Sequence, residues 1–209
     1  MLFKTLKIKI CGIKYNYQEI YNLFPDFIGF IFYSNSPRFV GENFDYQKSN
    51  TKIFKVGVFV NESENNIIKI NNSKKLDFVQ LHGKENVSYC ERLFQKGLKI
   101  IKSFRIKNSF SFKKIKDFTH FCNYFLFDSY TTHHYGGSGK KFNWEKLDEY
   151  NFKTPFFLSG GIGIEDLNAI KKFSHPRIFG IDINSKFEIY PGNKNIKLLK
   201  DFIKKIRKL

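Results

Sequence analysis

Short runs of β-branched and aromatic residues recur along the chain, and most are separated by polar stretches with helical character. Eight such runs predict strands: Leu6 to Cys11, Phe27 to Phe32, Phe54 to Val60, Phe78 to Leu81, Lys99 to Phe104, Tyr124 to Asp128, Phe156 to Ser159 and Ile178 to Asp182. Between them, Ile67 to Asn72, Val87 to Lys96, Ser111 to Phe121, Glu165 to Phe173 and Ile196 to Lys208 carry apolar residues at helical spacing over polar faces. Glu165 and Asp166 open one of these segments and Lys171 and Lys172 close it, the charge order a helix dipole favours. The crossover from Asp45 to Thr51 is short and poorly helical.

Strands alternating with helices make parallel βα units. Eight of them can close into a barrel, which leaves no exposed sheet edge. The pattern therefore predicts an α/β protein, a single-domain (β/α)₈ TIM barrel over residues 1–209, with an open doubly wound sheet as the structural competitor. With 42% apolar residues and 26 phenylalanines the chain can fill one large core, and no break in composition marks a second domain. Barrel enzymes work at the C-terminal ends of their strands, so candidate chemistry is sought there.

Composition narrows the class. Lysines interrupt the apolar residues of Met1 to Lys9, unlike a signal peptide, and no apolar run approaches the roughly 20 residues of a membrane span. A soluble, cytoplasmic protein without a membrane partner is expected. Cys11, Cys90 and Cys122 are odd in number, far apart and without a CxxC pair, against both a disulfide framework and a zinc site. The formal charge of +17 raises the question of a polyanion partner. Yet the arginines are only Arg38, Arg92, Arg105, Arg177 and Arg207, and the lysines are scattered. Ala169 is the sole alanine amid abundant Asn, Ile, Phe and Tyr, as an A+T-rich coding bias would produce. The lysines read as a solvated surface, and no nucleic-acid partner is expected.

Several residues fall where barrel chemistry occurs. Cys11 ends the first strand, and the two-residue pleat puts Lys7, Lys9 and Cys11 on one face. A thiol beside ammonium groups can act as a base; a buried inert cysteine is the alternative. Asp128 ends the sixth strand, as a general acid or as a loop cap. Arg38, after strand two, presents a fork suited to a carboxylate or to a surface ion pair. His82, beyond strand four, is a satisfied polar residue or a substrate contact. Gly160 and Gly161 follow strand seven before a helical segment, where bare backbone amides can approach a phosphate, and Asp182, Asn184 and Ser185 would supply the other half of that site. The segment Tyr135 to Lys140 is glycine-rich, but His134 and Lys141 break the P-loop pattern. His133 and His134 are adjacent in a loop, poor spacing for a metal.

In this order, Lys9-Ile10-Cys11-Gly12-Ile13, Ile28-Gly29-Phe30-Ile31-Phe32-Tyr33, Ser36-Pro37-Arg38, Val56-Gly57-Val58-Phe59-Val60-Asn61 and Val79-Gln80-Leu81-His82-Gly83 resemble phosphoribosylanthranilate isomerase. The resemblance continues through Tyr135 to Lys140, Phe142-Asn143-Trp144, Leu158-Ser159-Gly160-Gly161 and Gly180-Ile181-Asp182, so it covers nearly the whole chain. It implies a (β/α)₈ fold, a phosphosugar-anthranilate substrate isomerised in tryptophan biosynthesis, and neither metal nor cofactor. It further implies Cys11 as general base, Asp128 as general acid, Arg38 facing the anthranilate carboxylate, and Gly160, Gly161 and the segment from Asp182 around the phosphate. Three positions depart from the pattern: Lys14 stands where threonine is usual, and Asn184 and Lys186 where serine and glycine are usual.

Overall fold

The structure is a computed structural model, and it describes residues 6–41, 44–46, 53–129 and 141–208. Eight parallel strands close into a barrel: β1 (Lys7–Cys11), β2 (Phe27–Ile31), β3 (Phe54–Phe59), β4 (Phe78–Leu81), β5 (Ile100–Ile106), β6 (Tyr124–Ser129), β7 (Phe156–Leu158) and β8 (Ile178–Ile183). Every expected strand is present, its ends within two residues of the sequence reading. β1 pairs in parallel with β8, Lys9 opposite Asp182, and this seam rules out the open sheet.

Alternation along the strands separates two cores. Residues such as Ile8, Ile10, Ile28 and Phe30 point outward into the layer beneath the surrounding helices. Phe27, Val56, Phe78, Ile101, Leu126 and Phe157, one from each of β2 to β7, point inward and fill the N-terminal half of the barrel. Phe27 is the hub of this plug, with ring centroids of Phe54 at 5.0 Å, Phe78 at 5.7 Å, Phe157 at 5.2 Å, Phe179 at 6.0 Å and Tyr124 at 6.4 Å. Two residues further along the same strands the lining becomes Gly29, Val58, Gln80, Ser103, Asp128 and Ser159. The barrel interior thus changes from dry aromatic floor to polar mouth within a single pleat repeat.

The connecting elements are α1 (Tyr17–Tyr21), α2 (Glu64–Lys74), α3 (Val87–Gln95), α4 (Leu167–Lys172) and α5 (Ile196–Ile206). Side chains cap three of them: Ser63 Oγ accepts from Asn66 N, Asn86 Oδ1 from Tyr89 N and Asn195 Oδ1 from Leu198 N. In α5 the buried residues Leu199, Phe202, Ile203 and Ile206 follow the spacing of one helical face.

Two helical expectations need correction. Residues Phe112–His120 form a 3₁₀ helix rather than an α-helix, and its buried residues Phe112, Ile115 and Phe118 repeat every third position, the 3₁₀ period itself. The Glu165 to Phe173 segment is split into a 3₁₀ turn, Ile164–Asp166, and the short α4, because the Asp166 carboxylate turns back to accept from Gly163 N at 2.8 Å. Four features were not expected among the described residues: the single-turn α1, 3₁₀ turns at Trp144–Glu149 and Ser185–Phe187, and a hairpin of β9 (Glu188–Tyr190) and β10 (Asn193–Lys194). The hairpin turns through Pro191 and Gly192, the latter at φ +87, a Pro-Gly signal that was readable in the sequence.

Gly180 faces the β1 seam so closely that a Cβ there would lie 2.3 Å from the carbonyl oxygen of Lys7. Backbone cannot move aside as a side-chain tip can. Gly180→Ala is expected to destabilise the fold by about 1–3 kcal/mol in urea unfolding, and a midpoint equal to that of the unsubstituted protein would contradict the seam.

Candidate active site

The polar mouth opens into a cleft continuous with solvent. Cys11 from β1, His82 beyond β4, Asp128 from β6, Gly160 and Gly161 beyond β7, and Asp182, Asn184 and Ser185 from β8 and its loop all line it. Of the site residues expected from sequence, only Arg38 is missing from this wall.

Cys11 is 4% exposed, directly above Lys9, whose side chain is wholly buried. A Cβ on Gly29 of the neighbouring strand would lie 2.8 Å from Cys11 Sγ and 3.3 Å from Lys9 Nζ, so glycine leaves the space in which thiol and ammonium meet. Lys9 Nζ donates to Asp182 Oδ1 at 2.6 Å, and Asp182 Oδ2 accepts from Ser159 Oγ at 3.1 Å. Burial pushes the Cys11 thiol above its ordinary value, against the pull of Lys9 and Lys194. Burial also works against the Lys9 charge, yet Asp182 and the thiol hold the ammonium protonated above its usual range. Lys7, the other lysine of that face, reaches away to Asp26 at 2.8 Å and takes no part.

Asp128 Oδ1 accepts from the backbone N of Ser129 at 2.7 Å, and Oδ2 lies 3.4 Å from His82 Nε2. Gln80 Nε2 stands 2.9 Å from His82 Nδ1 and donates to Ser103 Oγ at 3.2 Å. The Gln80 amide thus orients the imidazole so that Nε2 faces the carboxylate. Gly160 has φ +97, and a Cβ there would fall 2.1 Å from Ser129 Oγ and 3.0 Å from Asp128 Oδ1. The loop after β7 is therefore pressed against the acid end of β6. His82 Nε2 and Ser129 Oγ, both buried, have no hydrogen-bond partner within the described residues.

Arg38 departs from its expected position. Its Nε and Nη2 fork onto Glu188 at 2.9 and 2.6 Å, and Glu188 also accepts from Lys194 Nζ at 2.8 Å and Gly192 N at 3.0 Å. Lys194, wholly buried, donates in turn to Asn184 Oδ1 at 2.7 Å. This lattice ties the loops after β2 and β8 to the hairpin. Burial raises the Glu188 carboxyl, but Arg38 and Lys194 more than offset it and hold it below the ordinary carboxylate range. Burial lowers Lys194 to about 8 despite Glu188.

The Asp182 carboxylate is likewise engaged, by Lys9 and Ser159, and the Gly163 amide is taken by Asp166. An anion-binding role for this end of the cleft rests on other amides, those of Gly160, Gly161 and the 184–186 loop. Lys186 lines the cleft 3.8 Å from Glu165 and is not among the positive-φ residues, so the backbone there does not require glycine. Among the described residues no three His, Cys, Asp or Glu side chains gather as a metal site requires, and no helix is long and apolar enough to cross a membrane. His133, His134 and the glycine-rich Tyr135 to Lys140 lie outside the described residues.

Comparison with known proteins decides the family. The family described as N-(5′phosphoribosyl)anthranilate (PRA) isomerase matches residues 8–205. The chain belongs to this isomerase family. A relative from Parabacteroides distasonis, named N-(5′-phosphoribosyl)anthranilate isomerase, is 44% identical over 207 residues, covering 95% of this chain and 92% of its own. The crystal structure of phosphoribosyl anthranilate isomerase from Thermotoga maritima superposes with a TM-score of 0.80 at 29% identity, covering 98% of this chain and 100% of its own. A further phosphoribosyl anthranilate isomerase structure, in complex with reduced 1-(o-carboxyphenylamino)-1-deoxyribulose 5-phosphate, gives 0.78 at 26% identity with the same coverage.

Residues that sequence reasoning passed over are Gln80, Ser129, Glu188 and Lys194. None stands in a spacing that marks it. Because Glu188 is held below its unfolded value of about 4.3, its contribution to stability is present above that pH and is lost as pH falls through the folded value. Glu188→Gln should therefore weaken the protein at neutral pH and flatten its loss of stability below about pH 4.3. An acid unfolding curve of unchanged slope would contradict the lattice.

Proposed function

We propose that Cys11 and Asp128 are the base and acid of an Amadori rearrangement that turns N-(5′-phosphoribosyl)anthranilate into 1-(2-carboxyphenylamino)-1-deoxy-D-ribulose 5-phosphate. As a member of its family the chain is an isomerase of tryptophan biosynthesis. The observation that carries the residue assignment is that a thiol from β1 and a carboxyl from β6 line one cleft at the strand C-termini.

Asp128 delivers a proton to the furanose ring oxygen, the C1′–O bond breaks, and a Schiff base forms between C1′ and the anthranilate nitrogen. Cys11 as thiolate takes the proton from C2′, and that bond's electron pair closes the C1′–C2′ double bond as the iminium nitrogen becomes an amine. The enolamine then gains a proton at C1′ and loses one from its C2′ hydroxyl to reach the ketone. Protons given and taken balance, so no cofactor is needed for the arithmetic. His82, with Nε2 facing Asp128, contacts either the acid or the substrate oxygen beside it.

At one end of the cleft the phosphate would rest on the backbone amides of Gly160 and Gly161 and of the loop from Asp182 through Asn184 and Ser185. The Asn184 carbonyl oxygen already accepts from Lys194, so its amide is the group turned to the ligand. At the other, Arg38 spends Nε and Nη2 on Glu188, which anchors the guanidinium and leaves its Nη1 edge for the anthranilate carboxylate. Phosphate binding and a cytoplasmic setting belong to the same reading, and the basic surface plays no part in it.

Purified Cys11→Ala and Asp128→Asn should each lose about 10² to 10⁴ in kcat while keeping the circular dichroism of the parent. The readout is the decay of substrate fluorescence. Near-normal turnover in either would reject that residue's role. Arg38→Met should chiefly raise KM for the anthranilate substrate, and an unchanged KM would place the carboxylate elsewhere.

A further inference from the structure

Lys9 is a fully buried cation that the proton transfers above do not use. Buried lysines are costly unless something holds their charge, and this one is held from two sides. Asp182 on β8 accepts from Nζ at 2.6 Å, and Cys11, two residues along the same strand, brings its sulfur to the same space beside Gly29. A structural role would need only the carboxylate. The second neighbour is the thiol that must become an anion before it can act.

We propose that Lys9 is a positioning residue whose ammonium is the built-in counter-ion of the Cys11 thiolate, and that Asp182 keeps that ammonium charged and fixed beneath the sulfur. This deepens the acid-base reading above and rests on it. When the thiol proton leaves to solvent, the anion that forms is paired with Lys9; burial keeps this form the minor one near neutral pH, and the ammonium limits how minor it is. In turnover the thiolate takes the C2′ proton, so the sulfur becomes neutral while Lys9 keeps all its own protons. The ammonium is therefore an electrostatic partner and not a proton donor.

Among the described residues, the charged groups that act on the sulfur are Lys9 along β1, Asp182 from β8 and Lys194 from the hairpin, and the neighbouring β2 places Gly29 against it. Arg38 stands behind Lys194 and is already matched by Glu188, and Asp128 and His82 occupy another part of the cleft wall. Burial alone would keep the sulfur protonated, and Asp182 adds to that push. Lys9 and Lys194 oppose both, and Lys9 acts more strongly than Lys194. The sign of each neighbour gives the test its direction.

The rate of iodoacetamide alkylation of Cys11 is measured against pH in the free enzyme, read on the Cys11 peptide by mass spectrometry. This readout does not depend on isomerase activity. In Lys9→Met the half-point of the alkylation curve should rise by about one pH unit or more, and kcat at pH 7 should fall roughly tenfold with recovery at higher pH. If Lys9→Met does not fold, the neutral pair Lys9→Met with Asp182→Asn should still raise the half-point, by less, because Lys9 outweighs Asp182 at the sulfur and no carboxylate is orphaned. Asp182→Asn alone keeps an oxygen to hold Nζ in place and removes an anion near the sulfur; with the thiolate itself still favouring the charged ammonium, the half-point should move downward. A half-point unchanged by loss of Lys9, or one that moves upward in both single variants as general damage would cause, overturns the proposal. Absence of isomerase activity in the unsubstituted enzyme would instead defeat the acid-base reading, with the alkylation result still standing on its own.

Discussion

The ion pair between Lys9 and Asp182 is the constraint on which the rest of the molecule depends. It joins the first strand to the last in exact opposition across the β1–β8 seam, with Lys9 wholly buried and Asp182 6% exposed. Two charges so deep in the barrel are expensive to desolvate, and removing either partner of a buried pair generally costs about 3–5 kcal/mol. The pair therefore fixes the register in which the barrel closes. It also leaves a cation directly under the only cysteine at the mouth, so closure and chemistry are settled by the same contact.

Above this pair, one pleat repeat converts an aromatic floor into a polar cup. The ring cluster around Phe27 excludes water from below, which raises the effective strength of every charge above it. Glycines then set distances: Gly29 admits the thiol and ammonium to one space, and Gly160 lets the seventh loop touch Asp128 and Ser129. Outside the cup, the Arg38, Glu188 and Lys194 lattice holds the loops after β2 and β8, and the guanidinium is oriented by Glu188. A preorganised fork loses less freedom on binding than a free one.

Much of this was legible in the residues. The eight strands follow from short apolar runs rich in β-branched and aromatic residues, and the placing of Cys11, Asp128 and the two glycines follows from their positions at strand ends together with the family's motifs. What escaped was the pairing of charges. Lys7 and Lys9 look alike on one face of β1, and only the barrel's closure shows that Lys7 goes to Asp26 while Lys9 goes to Asp182. Arg38 was expected to await a carboxylate; the hairpin that brings it Glu188 has strands of three and two residues, too short to register as periodicity. The 3₁₀ helix at Phe112–His120 was misread because a repeat of three over nine residues fits an α-helical face almost as well.

In the proposed function one sugar sits between a thiol and a carboxyl in a single cup. The most direct measurement is a crystal structure of this protein with the reduced product analogue bound. It should place the Cys11 sulfur against C2′, an Asp128 oxygen within about 2.6–3.2 Å of the oxygen on C4′, and the carboxylate toward Arg38. A bound analogue with either side chain turned from those atoms, or with its phosphate at the Arg38 end, would contradict it.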